Sequence, residues 1–202
     1  MEDRKLVKQS PVRSSYFGYS TKAACVMAFE STLEEDYYHL LEFDESVQYF
    51  RPQPFTQPYL IGQKRHVYTP DFQVVQDGVA YLDEVKPFRK TLCPEFQRKV
   101  RRLTKLFSDD GFHFRVITER EIHLNQRHHN LRYLRPNLGF SAPLEEFERL
   151  REALPFRQST VLALQEMLPG LGLSPCLVGR AVAHRLMQAD LSQPWPDVVI
   201  SW

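Results

Sequence analysis

The sequence predicts an α/β protein with a mixed central sheet flanked by helices, followed by a small C-terminal helical, winged-helix-like domain. Three observations carry this. Two segments with strand character flank Asp77-Gly78, a dipeptide favoured in the two-residue turns that reverse antiparallel strands. Helical periodicity precedes that hairpin and resumes after it, before a further alternating stretch, and the order helix, strands, helix, strand suits a mixed sheet. Around Pro136 to Pro143 the composition shifts, and helical stretches beyond it surround Pro169-Gly170-Leu171-Gly172, a breaker-rich turn.

Taken in order, residues 1–22 hold Arg4, Lys5, Lys8, Arg13 and Lys22 among Ser, Tyr and Gly. They read as a basic arm, either solvated or laid along a nucleic-acid backbone. From about Ala23 to Phe43, Phe29, Leu33, Tyr37, Leu40 and Leu41 recur at helical spacing, and Ser31 either caps a restarted helix or lies within it. Glu30 and Glu34 lie one turn apart there. Val47 to Ile61, interrupted by Pro52, Pro54 and Pro58, reads as an edge strand followed by a loop, and Gly62 to His66 as a basic turn.

After the hairpin, Pro94 opens a helix whose buried stripe is Phe96, Val100, Leu103 and Phe107. Lys86, Arg89, Lys90, Arg98, Lys99, Arg101, Arg102 and Lys105 make this the densest basic region, opposed within it by Glu95. Arg89, Lys90, Arg98, Arg101 and Arg102 are the candidates for DNA phosphate contact, against the alternative of a solvated helix face. Phe112 to Thr118 alternates as a strand. His123, His128 and His129 lack HxxxH or HExxH spacing and read as a surface basic cluster rather than a metal site. Pro143–Leu154 and Thr160–Leu168 are helical by periodicity, and Ser174-Pro175 opens a helix through about Ala189. Arg180, His184 and Arg185 give that helix a basic edge, and Trp195 to Trp202 ends as a short strand. The divisions are a basic arm (1–22), a core domain (23–136) and a C-terminal partner- or DNA-binding domain (137–202).

With 43% hydrophobic and 25% charged residues, the chain has the makeup of a soluble globular protein. A net charge of +1 excludes a globally basic nucleic-acid binder, so a basic surface must be local. Cys25, Cys93 and Cys176 form neither a CxxC zinc pattern nor a disulfide scaffold, which suits a reducing cytoplasm. No stretch reads as a signal peptide or a membrane span, and the expectation is a cytoplasmic protein without membrane contact.

The chemistry concentrates in the hairpin. Counting outward from Asp77-Gly78 sets Phe72 opposite Asp83 and Asp71 opposite Glu84, with Lys86 on the same sheet face as Glu84. Facing like charges destabilise a sheet unless something offsets them. Two hard oxygen ligands for Mg²⁺ or Mn²⁺ beside a lysine suit metal-assisted phosphodiester hydrolysis. A third carboxylate from Glu34 would complete such a site or serve a second ion.

TPDF followed by DEVKP resembles the PD-(D/E)xK nuclease signature, in which Asp71, Glu84 and Lys86 match the catalytic positions. With FESTLEEDYY upstream and RPQP between, the set resembles the TnsA-like endonuclease subunit of heteromeric bacterial transposases. The resemblance covers roughly residues 14–120 and implies a restriction-endonuclease-like core. It implies Mg²⁺-dependent cleavage at the 5′ ends of transposon DNA, beside a TnsB-like DDE transposase and a TnsC-like ATPase. It assigns Glu34, Asp71 and Glu84 as catalytic metal ligands, with Val85 adding a main-chain oxygen, and Lys86 as the catalytic lysine; Glu30 is the weaker helix candidate. Two alternatives stay open. One is another PD-(D/E)xK restriction or junction nuclease, and the other is a non-catalytic DNA-binding adaptor with the same fold.

Overall fold

The computed structural model describes residues 16–61 and 63–202. These form two compact units, one comprising the described residues up to Tyr38 with Glu45–Ile117, the other His39–Asp44 with Thr118–Trp202. Among the described residues no single helix is long and apolar enough to cross a membrane.

The first unit opens with a hairpin of β1 (Tyr16–Ser20) and β2 (Cys25–Phe29), then α1 (Thr32–Phe43), which continues into the second unit. This corrects two expectations. Tyr16–Ser20 is a strand rather than part of a basic arm, and the helix begins at Thr32 rather than near Ala23. Met27 and Phe29 are buried while Val26 and Ala28 are exposed, a period of two that the helical reading of Phe29 onward overlooked. Ala24, at φ 52°, reverses the chain. Arg4, Lys5, Lys8 and Arg13 lie outside the described residues. Gly18 lets the Tyr38 ring approach the hairpin, since a Cβ there would stand 3.0 Å from Tyr38 Cε1. The Tyr38 hydroxyl donates to the Tyr19 carbonyl at 2.6 Å.

Next come β3 (Val47–Pro52), β4 (Gln57–Ile61), β5 (Lys64–Tyr68), β6 (Phe72–Gln76) and β7 (Val79–Val85). α2 (Phe88–Thr91) and α3 (Pro94–Asp109) lead to β8 (His113–Ile117). The main sheet runs β3-β6-β7-β8, with β3, which ends in Pro52, at an edge. β6 and β7 are antiparallel, and β8 is parallel to β7 across the helical crossover. Asp77 and Gly78 adopt φ 50° and 76°, and the pairs from Gln76↔Val79 to Phe72↔Asp83 have the register counted from that turn. Gln57–Ile61 is a strand rather than the loop expected after the edge strand, and it pairs with Lys64–Tyr68 in a second hairpin, β4–β5, so Lys64, Arg65 and His66 belong to a strand rather than to a turn.

Each sheet face carries its own aromatic layer. Phe72 stacks on Phe29 and meets the edge of Tyr37 from α1, while Tyr38 packs on Phe50. On the other face Leu82 packs with Tyr68, Leu103 and Phe107, bringing α3 onto the sheet. Burying side chains of this size stabilises the unit by roughly 1.5–3 kcal/mol each.

The second unit holds α4 (Glu119–Ile122), α5 (Arg127–Leu134), α6 (Leu144–Ala153), β9 (Gln158–Thr160), α7 (Val161–Met167), α8 (Cys176–Ala183), β10 (Gln188–Ala189) and β11 (Val199–Ser201). It begins at Thr118, ahead of the boundary expected at 136, because Thr118 and Glu121 form a capping box directly after β8. The composition shift at Pro136–Pro143 marks a short 3-10 turn and loop inside this unit. Its sheet is antiparallel in the order β10-β11-β9, and the chain bends by 119° between Val161–Leu171 and Cys176–Ala183. A helix-turn-helix at that angle followed by a β-hairpin has winged-helix connectivity. α8 ends at Ala183 rather than Ala189. Arg185 turns left-handed at φ 59°, and its N–H and that of Leu186 donate to Val182 and Ala181, a Schellman closure.

Gly18→Ala lowers the free energy of unfolding by about 1–3 kcal/mol through overpacking against Tyr38. Gly139→Ala, where an added Cβ meets nothing within 4 Å, shifts it by less than about 0.5 kcal/mol; urea titration reads both.

Candidate active site

Strand alternation separates the two acids of Asp83-Glu84. Asp83, fully buried, shares a face with its partner Phe72 and receives the Tyr37 hydroxyl at 2.6 Å. The Arg115 guanidinium grips it in a two-point contact at 2.7 and 2.8 Å while lying over the Tyr81 ring. Asp83 is therefore a structural ion-pair partner. Glu84 points to the opposite face, where α3 and Tyr68 lie.

Glu84 is 3% exposed and has three partners. Tyr68 donates to its Oε2 at 2.5 Å, and Lys86 Nζ and Lys99 Nζ stand 3.1 and 3.5 Å from Oε1. Burial foremost, then Glu84, pushes the Tyr68 phenol well above its ordinary range, so it is a donor at all physiological pH.

Asp71 sits one residue beyond the ladder. Pairing of β6 with β7 stops at Phe72↔Asp83, so the expected Asp71↔Glu84 strand pair is not formed. Asp71 Oδ2 instead accepts the Val85 N–H at 2.7 Å, and its carbonyl accepts from Gln53 N at 2.9 Å. Pro70, lacking an N–H, explains why the ladder begins after it. Burial foremost, then the charge of Glu84, raises the Asp71 pKa to about 7, against the lowering influence of Lys86 and the Val85 N–H. Glu34 adds to the rise, which brings it into the same electrostatic cluster. For Lys86, burial works to lower the pKa, but Glu84, Asp71 and Glu34 outweigh it, and the net shift is upward.

Glu34 is engaged at the start of α1. Its Oε1 accepts the Ser31 hydroxyl at 2.8 Å and its Oε2 the Glu30 N–H at 3.0 Å, while its own N–H donates to Ser31 Oγ at 3.2 Å. This is a capping arrangement close to a capping box, with Ser31 as the cap rather than a residue within the helix. Glu30 accepts from Gln53 Nε2 at 3.4 Å, outside the acidic pair. Among the described residues no three His, Cys, Asp or Glu side chains gather around a metal position. Asp71 and Glu84 are hard oxygen donors of the kind a divalent cation takes, and the charge of Glu84 with burial raises the Asp71 pKa, a rise that a bound cation would offset.

The sequence reading missed Tyr68 and Lys99. Tyr68 lies three residues before Asp71, yet nothing local shows that β5 turns it toward Glu84; Lys99 was one lysine among many until α3 packed on the sheet. Arg89, Lys90, Arg98, Arg101 and Arg102 are all exposed on α2 and α3. Arg180, by contrast, is held by Glu146 at 2.8 Å, and His184 donates to the Asn137 carbonyl at 3.2 Å. The His123 and His128 rings stack with centroids 4.2 Å apart and His129 tilts against His128 at 3.9 Å; among the described residues no three His, Cys, Asp or Glu are placed to hold a metal ion.

A mixed sheet whose central antiparallel pair carries an Asp and a Glu-x-Lys to one end, with helices on its faces, defines a restriction-endonuclease-like nuclease domain. Residues 44–119 match the family model described as TnsA-like endonuclease N terminal, so this part of the chain is similar to the nuclease domain of that family. No curated protein matches the chain.

The raised Asp71 pKa has a signed consequence. Its folded-state value of about 7 exceeds the unfolded 3.8, so its contribution to stability is fully present below about pH 4 and is lost as pH rises to about 7. Without added divalent ions, Asp71→Asn is therefore more stable than the unaltered protein at pH 8, and the difference shrinks toward pH 4. Parallel thermal unfolding at the two pH values checks this.

Proposed function

We propose that the chain is the metal-dependent DNA endonuclease subunit of a cut-and-paste transposase, hydrolysing phosphodiester bonds at the 5′ ends of the transposon. The observation that carries the reading is the convergence of Asp71, Glu84 and Lys86 at one end of the central strand pair, within a TnsA-like domain.

Asp71 and Glu84 would hold Mg²⁺, with Mn²⁺ as a substitute, and Val85 would add its main-chain oxygen. Glu34, occupied in capping α1, contributes through its charge. The bound ion supplies an activated water and a counter-charge for the phosphate. Lys86, its pKa raised by the surrounding acids, stays cationic at neutral pH. It therefore acts as a hydrogen-bond donor and positive charge toward the attacked phosphate rather than as a base. Tyr68 holds Glu84 in place through Oε2. Arg89, Lys90, Arg98, Arg101 and Arg102 provide a cationic surface for the duplex backbone.

In this reading a TnsB-like DDE transposase cuts and joins the 3′ ends, and a TnsC-like ATPase couples both enzymes to target selection. The winged-helix-connected unit serves as a docking module. Its α8 is buried at Leu177, Val178, Gly179, Ala181, Val182 and Ala183, which favours a role in that unit's core over one in a DNA groove.

Asp71→Ala reduces Mg²⁺-dependent 5′-end cleavage of transposon-end DNA by at least about 10³-fold, assayed with the partner transposase, while its circular dichroism stays unaltered. Cleavage at the unaltered rate would refute the assignment.

A further inference from the structure

Two ammonium groups reach one oxygen of Glu84. Lys86 and Lys99 both direct their ammonium groups at Oε1, 3.1 and 3.5 Å away, and two cations on one carboxylate oxygen repel each other. Lys86 sits two residues from Glu84 on the same strand end. Lys99 comes from α3 on a flexible four-carbon stem, about one-third exposed, and holds a second contact at the same time: its Nζ stands 4.4 Å from the Tyr68 ring centre, a contact it can keep when it leaves Glu84. A hard divalent cation binding Glu84 needs the electron pairs that these ammonium groups occupy. Lys99 is the one with somewhere else to go.

We propose that Lys99 and the divalent cation compete for Glu84 Oε1, and that Lys99 shifts fully onto the Tyr68 face when the ion binds, presenting its ammonium to a DNA backbone phosphate. The inference rests on the nuclease reading and adds a residue outside the Asp-Glu-Lys set. Charge balance supports it. Asp71, Glu84, Glu34, Lys86 and Lys99 sum to −1 when ionised, so a divalent ion brings the cluster to +1, which a phosphodiester neutralises. Without Lys99 one positive charge is missing when the substrate is in place. Without Tyr68 the displaced ammonium has no seat. The same ring thus serves twice, its hydroxyl holding Glu84 Oε2 and its face receiving Lys99.

Mn²⁺ binding to the full chain without DNA, followed by electron paramagnetic resonance, tests the competition. Lys99→Met binds Mn²⁺ more tightly than the unaltered chain, on the order of tenfold, because a competing charge is gone; Lys99→Gln does the same, and Lys99→Arg stays near the unaltered value. With Ca²⁺ replacing Mg²⁺, Lys99→Met binds transposon-end duplex more weakly, and the salt dependence falls by about one released counterion. Folded Lys99→Met and Lys99→Gln that bind Mn²⁺ no tighter would overturn the competition while Asp71-dependent Mn²⁺ binding still upheld the nuclease reading. Tighter Mn²⁺ binding with unchanged DNA affinity overturns the phosphate contact. Mn²⁺ binding that is absent, or indifferent to Asp71→Ala, overturns the nuclease reading beneath both.

Discussion

Two carboxylates brought together at the end of an antiparallel strand pair repel each other, and much of the first unit is arranged around that repulsion. Asp71 takes a backbone N–H from Val85, and Glu84 takes a phenol and two ammonium groups. These contacts leave Asp71 with a pKa near 7, so the offset is incomplete. A site whose own donors fully neutralised its acids would have little affinity for a cation. That incomplete offset, on one sheet face and next to a lysine kept charged, is the feature on which the proposed phosphodiester hydrolysis rests.

The neighbouring acid shows the opposite design. Asp83 is adjacent in sequence and equally buried, but strand alternation turns it to the other face, where Arg115 and Tyr37 satisfy both oxygens. Its pairing ties β7 to β8 and to α1. The Asp83 ion pair holds the strand that carries Glu84, so one strand supplies both a rigid support and an acid of the candidate site, distinguished by the side each faces.

The part of this legible in the sequence was the part set by local rules. A left-handed Asp-Gly turn fixes register by counting, and five pairs run as counted. The edge position of β3 suits the prolines at and after its end, Pro52, Pro54 and Pro58, and the helix opened by Pro94 follows from its apolar stripe. What escaped depended on tertiary contact. The β1–β2 hairpin was hidden because Phe29 fits both a strand of period two and the helix that follows. The ladder's end at Phe72 shifted Asp71 from a strand partner to a side-chain acceptor. Glu34 was legible as a carboxylate near the site, but its capping of α1 depends on how Ser31 closes the helix. Tyr68 and Lys99 reach Glu84 from β5 and α3, and no spacing along the chain encodes that meeting. In the second unit, Arg180 and His184 of the basic edge are half-buried and engaged by Glu146 and the Asn137 carbonyl, contacts that only the packing of the unit brings about.

The central claim is that Asp71 and Glu84 form one cation site. Anomalous diffraction from crystals soaked in Mn²⁺ tests it most directly. The account predicts a manganese peak within coordination distance, about 2.0–2.3 Å, of an oxygen from each of these two carboxylates. Mn²⁺ bound elsewhere, with Asp71 still closed on the Val85 N–H and Glu84 still closed on both lysines, would contradict it.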